Sequence, residues 1–136
     1  MPTVRLADDT PVVQFDPQVE VSPFLLFRQL REGRPPRLLD VRAQPEGATL
    51  AGAEWIDLAT WVPEAGVEAV LFDDDGELAV AAVRRLQAAG HGGIRALFGG
   101  LDLWSFALDP EVVGEETYLR PLSPSAPRVT PAIPTL

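Results

Sequence analysis

Apolar residues fall in short runs separated by polar stretches rich in Pro and Gly, and the spacing within the runs switches between two periods. Residues 12–15 and 19–21 read as short β pieces, broken by Pro11 and Pro17. Ser22 then has the character of an N-cap and Pro23 suits a first helical position. Phe24, Leu26, Phe27 and Leu30 follow at helical spacing. Gly33 stops this helix, and Pro35 and Pro36 prevent its continuation. Residues 37–42 (Arg-Leu-Leu-Asp-Val-Arg) read as a buried strand ending in a charged pair, and a polar loop runs from there to Leu50. A strand over 53–56 and a helical turn over 58–62 come next. Residues 70–72 (Val-Leu-Phe) form a third apolar strand. The spacing over 78–89 predicts an amphipathic helix with Leu78, Ala82, Leu86 and Ala89 on one face and Arg84 and Arg85 off it, closed by Gly90. Residues 94–97 give a fourth strand, and Gly99-Gly100 opens a short helix holding Leu101, Leu103, Trp104 and Phe106.

Strands alternating with helices through short connections predict an α/β domain: a mainly parallel sheet with helices on both faces. Three segments follow from the pattern: a strand-bearing extension over 1–20, the α/β domain over 21–108 and a Pro-rich tail over 109–136. In the tail Pro121, Pro124, Pro127, Pro131 and Pro134 favour extended chain, either free or as a strap across the domain or a neighbouring subunit; Tyr118, Leu119, Leu122, Val129, Ile133 and Leu136 offer apolar contacts that favour the strap. No internal repeat is visible.

Composition narrows the chemistry. A length of 136 residues with 46% hydrophobic content suits one domain with its own core. The net charge of −9 excludes the phosphate-neutralising surplus that nucleic acids or anionic membranes require, and it is the wrong field for steering small anions. The chain has no cysteine, which removes disulfides, thiolate ligands and thiol redox chemistry. No apolar run approaches the ~18 residues of a membrane span. The first residues carry no apolar stretch behind a basic start, so the expectation is a cytoplasmic protein.

In order and spacing these elements resemble the rhodanese homology domain, over about residues 21–106. Ser22-Pro23 opens a helix as in that family, and residues 38–42 match its strand-ending "LLDVR" segment through Asp40, Val41 and Arg42. Gly52-Ala53 matches the end of its "HIPGA" signature, with Thr49 at the histidine position and Ala51 at the proline. Residues 88–91 resemble its "AAGY/F" segment. Gly99, Gly100 and Trp104 match its "L-x-GG-x-x-x-W" ending. The resemblance places the family's catalytic loop at Asp73, Asp74, Asp75, Gly76, Glu77 and Leu78. In active members a cysteine there carries sulfane sulfur, stabilised by loop N–H groups and the positive end of the next helix. Here Asp73 stands at the cysteine position, Gly76 at the loop glycine, and Leu78 where many active members have an Arg for an anionic substrate. A carboxylate cannot form a persulfide, and the acidic loop repels an anion. Nucleophile and anion recognition are lost together.

The acidic run invites other readings. Residues 72–78 are similar to the "DxDGT" nucleophile motif of haloacid-dehalogenase-like phosphatases, which would make Asp73 the nucleophile and Asp75 the acid/base beside Mg²⁺. That motif normally opens its domain, whereas some seventy residues precede it here; it also needs a downstream Lys or Arg and a further acidic pair, and this chain has no Lys and no paired acidic strand end after the helix. A divalent-cation site is a second option. Capping of the following helix by these carboxylates is simpler, each adding about 0.3–1 kcal/mol. His91, after the helix-ending Gly90, reads as a turn residue, and Trp104 as core. Asp40 and Arg42 read as braces between loops. Trp55 and Trp61 would be contact anchors if exposed near the loop.

The expectation is therefore an inactive rhodanese-like module, not an enzyme, with a binding, regulatory or assembly role toward a protein partner or a second copy. No cofactor, metal, nucleic acid or membrane is expected. The alternatives are a Mg-dependent phosphatase-like enzyme using Asp73 and Asp75, and an accessory subunit of a sulfur-transfer system whose cysteine comes from a partner.

Overall fold

The computed structural model describes residues 15–122, together with the backbone of two short strands before them, β1 (Val4–Arg5) and β2 (Pro11–Val12), paired antiparallel. The remainder of the first β piece (Val13, Gln14) and the tail from residue 123 onward, with Pro124, Pro127, Pro131 and Pro134, lie outside the described residues.

β3 (Glu20–Val21) leads into α1 (Pro23–Arg31). The helix begins as its sequence dictates: the Ser22 hydroxyl accepts the Phe24 N–H at 3.1 Å, and Pro23 occupies the first turn, where its missing N–H costs nothing. β4 (Arg37–Asp40), β5 (Ala48–Leu50), β6 (Glu54–Trp55) and β7 (Ala69–Phe72) follow, then α2 (Glu77–Ala88), β8 (Ile94–Leu97), α3 (Gly100–Ala107), α4 (Pro110–Val113) and β9 (Leu119–Pro121). The central sheet has five strands in the order β3-β8-β7-β4-β6, every pairing parallel. β7 and β4 run through its middle, so both of their faces are buried and they read as continuous apolar runs.

Helices cover both faces. On one, Ala79, Ala82 and Val83 of α2 pack on Leu39, Leu71 and Ala96. On the other, Leu26 and Phe27 of α1 and Leu101 and Trp104 of α3 pack on Leu38, Val70, Phe72 and Leu97. Full burial of side chains such as Leu71 and Phe72 contributes about 1.5–3 kcal/mol each. Trp104 is fully buried as expected, and its indole N–H donates to the Thr117 carbonyl at 2.9 Å.

Several local expectations change. The buried stripe of α2 is Ala79, Ala82 and Val83, while Leu78 is 43% exposed. The helix starts one residue earlier than its apolar spacing indicates, and Leu78 in its first turn lies off the Ala79–Ala82–Val83 stripe. β4 ends at Asp40, whose carboxylate accepts the Arg42 backbone N–H at 3.1 Å in place of a neighbouring strand. Residues 58–60 form only a turn, anchored by the Thr60 and Trp61 N–H groups on the Asp57 carbonyl, with no helix over 58–62. The loop before Leu50 contains β5, which pairs antiparallel with β9 through Leu50↔Leu119 and Ala48↔Pro121. The segment after 109 is not uniformly extended. Asp109 caps the short α4 by accepting the Glu111 N–H, and Tyr118 and Leu119 pack against the α1 side of the core. As far as Leu122, the tail is a docked strap.

Candidate functional site

The carboxyl-terminal ends of β4 and β7 lie side by side, with Asp40 opposite Phe72 in register. Loops leaving adjacent parallel strands converge there, which brings Asp40, Arg42 and the 73–78 loop together.

Asp73 is only 4% exposed, and its side chain turns toward the start of α2. Its Oδ1 accepts the Gly76 N–H at 2.7 Å and its Oδ2 accepts the Leu78 N–H at 2.8 Å. Gly76 supplies the left-handed corner, at φ 92°, that lets the loop curl around its own carboxylate. Burial pushes the Asp73 carboxyl above its ordinary pKa. The N–H groups of Leu78 and Gly76 pull it down, and Asp75 pushes it further up. Asp75 accepts the Glu77 N–H through Oδ1 at 3.0 Å. The loop's backbone donors are thus turned onto its own aspartates.

The loop is also held from outside. Leu101 N–H donates to the Asp73 carbonyl at 2.9 Å and Asp102 N–H to the Asp74 carbonyl at 2.8 Å, so the first turn of α3 clamps it. This approach explains the paired glycines. A Cβ on Gly100, at φ +63°, would stand 2.6 Å from the Asp73 carbonyl oxygen.

Arg42 anchors the other side and is buried. Its Nε and Nη2 bind Asp40 at 3.0 and 2.7 Å. Nη2 also reaches the Ala48 carbonyl at 2.7 Å, and Nη1 reaches the Glu46 carbonyl at 3.0 Å and Asp74 Oδ1 at 3.1 Å. All the N–H donors of a guanidinium are engaged. Burial works against the Arg42 charge, but the hydrogen bonds and charges of Asp40 and Asp74 outweigh it and hold its pKa above the ordinary value. Thr49, at the histidine position of the resemblance, gives its hydroxyl to Asp40 at 3.3 Å. Trp55 is half-buried and ties its indole N–H to the Arg42 carbonyl at 2.6 Å, so it braces this network rather than offering a free anchor. Trp61 packs against the α2 side of the core.

Between these walls lies an open depression of about 240 Å³ lined by Arg42, Ala43, Gln44, Asp73, Asp74, Asp75 and Leu78. Its exposed charges, Asp74 and Asp75, are negative, and its one cation is internally committed. Among the described residues no group of three or more His, Cys, Asp and Glu side chains is arranged to hold a metal.

Solved structures show what this architecture is. A rhodanese-related protein from Thermoplasma volcanium superposes with a TM-score of 0.55 at 20% identity, over 65% of this chain and 92% of that one. The chain has the rhodanese-like fold. A protein from Lactobacillus plantarum (TM-score 0.56, 22% identity, 66% of this chain and 84% of that one) and one from Anabaena (0.55, 24%, 69% and 86%) superpose equally well. No family model matches the chain, and no curated protein matches it. Within this rhodanese-like domain, Asp40, Arg42 and the 73–78 loop meet at one place, with Gly99 and Gly100 against them. Gly52, at φ +78°, forms the turn after β5, and Trp104 lies in the core, so these two support the fold from outside the depression. His91 sits in the turn after Gly90. Sequence reading did not find the Arg42–Asp74 bond or the clamp from α3. The doubled glycine was the visible signal for the clamp, but it does not say which backbone comes close.

Proposed function

We propose that this chain is a non-catalytic rhodanese-like module that acts by binding or assembly. One observation carries the reading: the buried Asp73 carboxylate accepts the Gly76 and Leu78 N–H groups at 2.7 and 2.8 Å. A sulfur carrier at this position would need those donors for its own thiolate or persulfide. Here a side-chain carboxyl group occupies them, in a chain without a thiol. The same geometry argues against a phosphatase-like role, because Asp73 and Asp75 are directed at the backbone of the α2 start. A contact role is supported by Phe106 and Val112, which are 84% and 82% exposed on α3 and α4.

The test is a thiosulfate:cyanide assay on the purified chain and on Asp73→Cys. Neither protein should produce thiocyanate above the protein-free rate. The new thiol would face Asp74, Asp75 and Glu77 with no cation left to engage its anion. Rapid turnover by Asp73→Cys would show that the loop still recognises anions and would overturn the reading. Thiocyanate produced only when a cysteine-bearing protein is supplied would favour the accessory-subunit alternative.

A further inference from the structure

At the opposite end of β7 from the acidic loop, a second cavity of about 510 Å³ opens between α1 and the sheet. This lies in the size range of small-molecule sites, roughly 300–1,000 Å³. Phe15, Val21, Leu25 and Val70 supply apolar walls. Two charged side chains of opposite sign share that lining. Arg95 projects from β8 onto the α1 side, where the neighbouring positions Val70 and Leu97 are core. Its Nη1 donates to the Gly92 and Ile94 carbonyls at 2.6 and 3.1 Å, and no carboxylate pairs with it among the described residues. Glu20 is 8% exposed. One of its oxygens accepts the Asp16 N–H at 2.9 Å, and no cation pairs with it among the described residues. Glu68 also lines the cavity, at its exposed margin.

A buried or half-buried charge is ordinarily paired, because desolvation without a partner is expensive. Arg95 and Glu20 line one cavity without joining in an ion pair, so a ligand carrying both charges can satisfy them together. A ligand with only one charge would leave the other group as it is. The apolar walls require the rest of the ligand to be hydrocarbon. We infer that this cavity binds a small apolar zwitterion of the free α-amino acid type, with its carboxylate on Arg95, its ammonium on Glu20 and its side chain against Leu25 and Val70.

The probes are phenylalanine, 3-phenylpropionate and phenethylamine, which share a ring and differ in charge. Each is titrated into the full chain by calorimetry, with amide chemical shifts to locate the contact. Phenylalanine should bind about tenfold more tightly than either single-charge analogue, with shifts centred on residues 20–25 and 92–95. Arg95→Gln should weaken phenylalanine by about the same factor and leave phenethylamine unchanged, while Glu20→Gln should also weaken phenylalanine by about that factor and leave 3-phenylpropionate unchanged. Leu25→Arg, at a half-exposed site outside the core, should block all three probes without lowering the melting temperature. Three results would each overturn the inference: no binding of phenylalanine, binding no tighter than that of the analogues, or shifts centred on residues 73–78.

Discussion

Asp73 combines two properties that pull against each other: its carboxylate caps α2, yet burial raises its pKa. Between its unfolded and folded pKa values the native state holds the proton more strongly, so this group's contribution to stability grows as pH falls through that window. Wild type should therefore gain stability relative to Asp73→Asn between neutral pH and about pH 4, opposite in sign to ordinary acid denaturation. Paired thermal melts at the two pH values check this, and a difference that shrinks on acidification would contradict it. Gly100→Ala is a purely steric counterpart. Its Cβ would lie 2.6 Å from the backbone of Asp73 and Asp74, at a φ that L-residues avoid. We expect a loss of about 1–3 kcal/mol in urea unfolding, without any change in charge. Arg42→Ala should cost more, about 3–5 kcal/mol, because it leaves Asp40 buried and uncompensated. A milder loss in denaturant titration would mean that water or Thr49 replaces the guanidinium.

Whole elements differed in how visible they were beforehand. α1 was legible to the residue because Ser22, Pro23 and Gly33 all act locally. The central strands were legible because burial on both faces leaves unbroken apolar runs. β5 and β9 were not. Each is short and carries polar or prolyl residues, and it becomes a strand only through the other. The stripe of α2 was legible only in part. Ala82 and Leu86 do face the core, but its fully buried positions include Ala79 and Val83, while Leu78 and Ala89 are exposed. At the site, the charged residues were named in advance, but their pairings depend on which loops leave adjacent strands. Deleting residues 119–136 should lower the melting temperature by several degrees while the far-ultraviolet signature of the sheet persists, because β9 covers Leu50 and the Tyr118–Leu119 contact with α1. An unchanged melting temperature would remove the strap from any structural role.

At the scale of the molecule, the rhodanese-like fold here carries a net charge of −9, no thiol and a loop occupied by its own carboxylates. The Asp40–Arg42 brace and the doubled glycine hold the loop in place, and the buried Trp104 fixes α3 on the core. The pairing of β5 with β9 also has a consequence in time. Leu50 precedes β7, α2, β8 and α3 in the chain, and its partner Leu119 follows them all. A nascent chain emerging amino-terminus first can pair β4 with β7 and β7 with β8, but it cannot complete the edge around Leu50 until residues 119–121 have also emerged. Until then, the Leu50 side of the core stays open to chaperones or to another copy of the chain. Slower synthesis between β8 and β9 should therefore raise aggregation more than an equal delay before β5.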